Sequence, residues 1–149
     1  MSKKTKILFK LNPSWHGSSS ESIWAENCAE STYQLLNSPY LAFGISYKDI
    51  VLTQPDKQGQ LIFDTVVQHS GHSTYRLMLF KAEKLWKPIW QKLESLSCTY
   101  EEARVGGNKL LSVDIPPNVD IYEAYKIMEE GSEMGVWDFE EAHVGHSIK

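Results

Sequence analysis

The sequence predicts an α+β fold: a small antiparallel β-barrel-like part, residues 1–73, fused to a ferredoxin-like βαββαβ part, residues 74–149, in one compact unit. Three observations predict it. Short apolar runs separated by turn residues fill the first half. Near residue 82 the apolar spacing changes from alternation to the i, i+3, i+4 repeat of a helix. From Thr74 onward the segments read strand, helix, strand, strand, helix, strand, the order of a split βαβ motif.

The first strand is residues 6–11, with Ile7, Phe9 and Leu11 on one side. Residues 12–22 carry Pro13, Gly17 and five serines and read as a long loop. Residues 22–29 and 32–37 alternate weakly as the second and third strands, the latter closed by Ser38-Pro39. Residues 49–53 form a short strand rich in β-branched side chains, and residues 55–59 have the composition of a hairpin loop leading into a strand at 61–68. Gly71 marks a tight turn that needs a positive φ. The strand at 74–80 follows and is expected to belong to both halves.

Ala82, Leu85, Trp86, Ile89, Trp90, Leu93 and Leu96 make the stripe of an amphipathic helix, with Pro88 expected in its first turn. Residues 98–105 and 109–115 read as a hairpin turning at Gly106-Gly107, stopped by Pro116-Pro117. Asp120 is a candidate N-cap with Glu123 three residues on, and Gly131 a candidate C-terminal stop of the second helix. Residues 136–140 alternate and close the fold as a strand.

Composition narrows the function classes. The 149 residues are 42% hydrophobic and 23% charged, the balance of a globular domain. Residues 1–80 carry a net charge of +1 and residues 81–149 a net −5. Between Asp120 and Glu141 eight acids face a single base, Lys126. Such a stretch repels a phosphate backbone and attracts a basic protein, so nucleic acid is not an expected partner. No apolar run approaches the ~20 residues of a membrane span, and no secretory h-region follows the basic start, so no membrane partner is expected. The two widely spaced cysteines, Cys28 and Cys98, fit a reducing compartment, and the expectation is a cytoplasmic protein.

Chemistry-bearing patterns are sparse. His69/His72 and His143/His146 have metal-ligand spacing, but each pair encloses a glycine and sits on a loop. They would meet only if the C-terminal tail returned to residue 70. Ordinary loop histidines are the favoured reading, and neither metal nor cofactor is expected. Ser70, His72 and Ser73 place hydroxyls beside an imidazole, but no nucleophile-elbow pattern accompanies them, and no catalytic residues are assigned. Arg76 is expected to anchor an ion pair or hydrogen bond. The Glu101/Glu102 and Glu140/Glu141 pairs would point to opposite faces of their strands and are poorly placed to share acid–base work. Trp15, in a Pro/Ser/Gly setting, is a candidate contact anchor.

Residues 22–26 (SIWAE), 33–39 (YQLLNSP), 44–51 (GISYKDIV) and 70–76 (SGHSTYR) occur in that order, followed by 112–117 (SVDIPP) and 135–143 (GVWDFEEAH). In this succession the chain resembles the bacterial domain-of-unknown-function family 4265 from about residue 6 to residue 146. The resemblance supplies no catalytic residues. The ending is also loosely similar to the bacterial regulator of ribonuclease activity, which acts by binding an enzyme.

The expected function is a non-enzymatic bacterial binding protein, an immunity protein that neutralises a basic toxin domain by direct contact. Glu129, Glu130, Glu133, Asp138, Glu140 and Glu141 are expected to meet the partner, with Trp15 or Trp137 as an aromatic anchor. The alternative is a small-molecule-sensing regulatory domain in which Ser70, His72, Ser73 and Arg76 hold an anionic ligand.

Overall fold

A computed structural model of the chain describes residues 3–12 and 16–148. Five strands make up the first half: β1 (Lys4–Lys10), β2 (Ser20–Ala29), β3 (Thr32–Leu35), β4 (Ile50–Pro55) and β5 (Leu61–Gln68). They pair in sequence order as antiparallel neighbours and close into a barrel through a parallel contact, Leu8 opposite Ile62. The parallel closure is forced by topology. In an up-and-down meander of odd strand number the first and last strands run the same way. Alternation turns Ile7, Phe9, Ile23, Ala25, Leu35 and Val51 into the barrel core, where Phe9 stacks on Phe63 at 4.7 Å.

The second half contains β6 (Ser73–Leu79), α1 (Glu83–Ser95), β7 (Thr99–Val105), β8 (Asn108–Ile115), α2 (Ile121–Glu133) and β9 (Trp137–His143). Its four strands form an antiparallel sheet in the order β7-β8-β6-β9. Both helices cover one face, burying Tyr75, Leu77 and Leu79 of β6 against Trp86, Trp90, Met128 and Trp137. Gly106 and Gly107, at φ +59° and +86°, make the two-residue turn of the β7–β8 hairpin. Asp120 caps α2 by accepting the Tyr122 and Glu123 N–H groups.

The expected class, an α+β fold with an antiparallel barrel-like part and a ferredoxin-like C-terminal part, is corrected to a mostly-β one: the described residues are 45% strand and 18% helix, with two sheets and only two helices among them. The nine strands of the described residues are as many as the apolar runs mark, and strand outweighs helix because only α1 and α2 interrupt them; what moves is the strand ends. β2 begins at Ser20, inside the serine-rich stretch read as a loop, and β9 continues to His143. The strand at 73–79 is not shared: β6 pairs only with β8 and β9. Pro88 lies inside α1, not in its first turn. With no N–H it cannot donate to the Lys84 carbonyl one turn back, on the exposed side of the helix where water can reach that oxygen. Gly131 does not stop α2 either. It sits within the helix because Trp137 packs there: a Cβ at this position would lie 2.2 Å from the indole. Gly135, at φ +74°, makes the turn that follows.

Residues 36–49 strap the barrel to the uncovered face of the sheet. Glu101 of β7 accepts from Asn37 Nδ2 at 2.9 Å and the Ser38 N–H at 2.8 Å. Ser112 Oγ donates to the Pro39 carbonyl at 2.6 Å, and the Glu21 carboxylate accepts the N–H groups of Tyr40, Leu41 and Ala42. Thr74 Oγ1 donates to Ser46 Oγ at 2.7 Å, and the Gly44 N–H donates to the Ala142 carbonyl at 2.9 Å.

Candidate functional site

The junction of barrel and sheet gathers the histidines. The C-terminal tail does return to residue 70: Gly145 passes so close to the His72 carbonyl that a Cβ would sit 2.3 Å from it. Ser73 Oγ, fully buried, accepts the Gly145 N–H at 2.9 Å and lies 2.6 Å from His146 Nδ1. His146 Nε2 is 2.8 Å from the Pro116 carbonyl, so Nε2 carries the proton and Nδ1 accepts from Ser73. This serine–histidine pair clamps the tail. With no surface exposed, Ser73 is not a nucleophile for an external substrate.

The two His-x-x-His pairs split. His69 and His143 stack at 4.5 Å between ring centroids, and His69 Nδ1 lies 3.0 Å from Oδ2 of the fully buried Asp49. Asp49 also accepts the Ser46 and Ser70 N–H groups. Burial, then the neighbouring His69, pulls the His143 pKa below its ordinary value, against the smaller opposing pull of Asp49 and Glu141.

His72 turns into a different couple. Its Nδ1 contacts both Asp114 oxygens, at 2.8 and 3.1 Å, with both side chains nearly buried. Burial pushes the Asp114 carboxyl above its ordinary range, and His72 beside it pulls it back. The pair borders a cavity of about 480 Å³ with Tyr47, Tyr100 and Glu101. With the Nδ1 proton committed to the carboxylate, the other ring nitrogen is an oriented acceptor. No serine or cysteine hydrogen-bonds to it among the described residues, so the couple carries the base of a triad without its nucleophile.

Arg76 is the anchor the sequence led us to expect. At 1% exposure it donates from Nε to Glu140 at 2.9 Å and from Nη1 to the Ala42 carbonyl at 2.8 Å, with the Phe43 ring 4.5 Å away. Burial lowers its pKa, and Glu140 opposes that. Ser73 and Arg76 stand an odd number of residues apart on β6 and face opposite sides of the sheet. Ser70 Oγ is spent on the Tyr47 carbonyl at 2.7 Å. The expected ligand site of Ser70, His72, Ser73 and Arg76 is therefore corrected: the four do not converge, and only His72 lines the junction cavity.

The acidic residues divide as well. Glu129 and Glu133 project from the outer face of α2 beside Tyr122 and Tyr125, while Glu130 is held by Lys92 Nζ at 2.8 Å. Glu141 lies on the same side of the sheet as α2 and accepts from the Tyr75 hydroxyl at 3.2 Å. Tyr125 packs edge-on against Phe139 at 5.4 Å, which joins the helix face to β9. Asp138 and Glu140 alternate with the core residues Trp137 and Phe139, so they face the other side. Trp137 is corrected as an anchor. It has no exposure and donates from Nε1 to the Met128 carbonyl at 2.8 Å. Trp15 lies outside the described residues.

Sequence reasoning missed Asp49 and Asp114, the carboxylates that orient His69 and His72. Asp49 directly precedes the apolar start of β4 and Asp114 stands between Val113 and Ile115 in β8, and that was the one available signal, because such an acid is buried only when something bonds it. No helix among the described residues is long and apolar enough to cross a membrane.

A family model described as a domain of unknown function, DUF4265, matches residues 21–139. A crystal structure of a hypothetical protein from Neisseria gonorrhoeae is similar at a TM-score of 0.77 and 20% identity, over 99% of this chain and 98% of that one. That likeness shows the fold. No curated protein matches the chain.

Proposed function

This chain belongs to the DUF4265 family, and we propose that it is a binding protein whose partner is a basic protein, held on the outer face of α2 and the adjoining part of β9. The observation that carries this reading is a pair of tyrosines set in an acidic face. Tyr122 and Tyr125 are 47% and 41% exposed on the stripe that also holds Glu129 and Glu133, with Glu141 alongside. Half-exposed aromatics supply contact area at low side-chain entropy cost, and acids around them steer a cationic surface into place. Lys126 is the only base on the stripe. The specific role we propose is neutralisation of a basic toxin domain such as a nuclease, whose substrate-binding surface must itself be cationic to hold a polyanion.

The test uses the intact protein as bait in a lysate of its own host cell, at low and then high salt. The expected result is a basic protein released by salt, whose association falls at least about tenfold with Glu129→Lys/Glu133→Lys and weakens with Tyr125→Ala. Equal capture of that protein by the double charge reversal would remove α2 as the contact face.

The cavity at the His72–Asp114 couple favours a second reading, a small polar ligand at the barrel–sheet junction. A thermal-shift series with nucleotides and amino acids separates the two. A ligand at 100 times its Kd stabilises by about 2.7 kcal/mol, which His72→Ala should abolish.

A further inference from the structure

We propose that Asp49, His69 and His143 form a binding site for a divalent transition-metal ion of the zinc type, fastening the barrel to the end of the sheet. One donor atom from each of the three lies within 4.8 Å of the other two. Three separate parts of the chain supply them: Asp49 just before β4, His69 just after β5, and His143 at the end of β9. Two imidazoles and one carboxylate are the donor set of a borderline divalent ion. The all-oxygen cage that magnesium or calcium requires is not present here.

A second observation points the same way. The Nε2 atom of His143 is buried with no hydrogen-bond partner, one of two such side-chain atoms among the described residues. A buried imidazole nitrogen left unbonded is costly, and an ion bound within this three-donor cluster would give it a partner. The Asp49 carboxylate already has the support such a ligand needs, because the Ser46 and Ser70 N–H groups fix both of its oxygens. Access is provided by His69, whose side chain is 48% exposed while Asp49 is wholly buried. That places the exposed imidazole at the mouth and the carboxylate at the base.

The inference is independent of the docking face, since no residue is common to the two. Isothermal titration of the full chain with zinc alone, checked by metal analysis after gel filtration, tests it. We expect one ion per chain. His69→Ala, which removes a half-exposed ring and leaves no core cavity, should weaken binding more than about tenfold, the lower end of what losing even an outer-sphere partner costs. His143→Ala should do the same where it folds. His16→Ala, far in sequence from the cluster, should bind as the parent does. Uptake well below one ion per chain, or uptake unchanged in His69→Ala, overturns the site. Equal loss in His16→Ala also overturns it, by showing that zinc binds histidines indiscriminately.

Discussion

Cys28 and Cys98 share a side chain and differ in everything that makes a thiol reactive. Cys28 is exposed near the end of β2, whereas Cys98 is 2% exposed where α1 turns into β7. Burial first, and Asp114 second, push the Cys98 thiol up to about 12. The nucleophile in alkylation or disulfide exchange is the thiolate, so a raised pKa removes the reactive species at neutral pH and burial removes the access. Folded protein treated with a disulfide reagent at pH 8 should therefore release one thiol equivalent quickly, from Cys28. The second should appear only on denaturation. Two fast equivalents would mean that the α1–β7 corner opens freely. At this scale the sequence was legible where chemistry is local. Arg76 as an anchor, Gly71 as a positive-φ turn and Asp120 as a cap were all read from neighbours. It was opaque where a residue's role depends on a distant partner. Trp137 looks like a surface anchor in an alternating strand until Gly131, six residues earlier, removes the side chain that would otherwise fill its place.

Helix α1 carries the element most open to improvement. Pro88 breaks the hydrogen-bond ladder on an exposed face, while Trp86, Ile89, Trp90 and Leu93 hold the helix in place from the other side. Packing thus overrides propensity, and the helix keeps the residue at a cost. Pro88→Ala should restore the bond to the Lys84 carbonyl and raise stability by about 1–3 kcal/mol, read as a higher denaturant midpoint at unchanged slope. The number is bounded above by the intrinsic proline penalty and lowered by the freedom alanine returns to the unfolded chain. Element positions were legible wherever an apolar stripe or alternation marked them, and the centres of all the larger strands and both helices lay where the pattern put them. Ends were not legible. Ser20, Glu21 and Ser22 at the start of β2 have no apolar pattern, because barrel closure and the Glu21 carboxylate's grip on residues 40–42 hold them in place. These polar extensions move strand ends without changing the number or order of strands.

The molecule as a whole depends on side chains that cross from one half to the other, a feature that no local reading of sequence can supply. Glu101, Ser112, Thr74 and Arg76 of the sheet each bond a residue of the 36–49 connector. The connector in turn contributes Ala42 and Ile45 to the barrel core. With a core on each side and polar bonds buried between them, neither half can unfold without exposing the other's contacts. The full chain should lose structure in one transition, with barrel and sheet reporters coinciding. Glu101→Ala sharpens the point. It leaves the Ser38 N–H, on a residue only 4% exposed, without its acceptor, and removes the bond to Asn37. Burying an unpartnered donor costs about 1–3 kcal/mol, and here the cost falls on the junction, not on either core. If the junction couples the halves, Glu101→Ala lowers a single midpoint. If they are independent bodies that merely touch, the variant instead splits the unfolding curve into two transitions, and differential scanning calorimetry distinguishes the two outcomes directly.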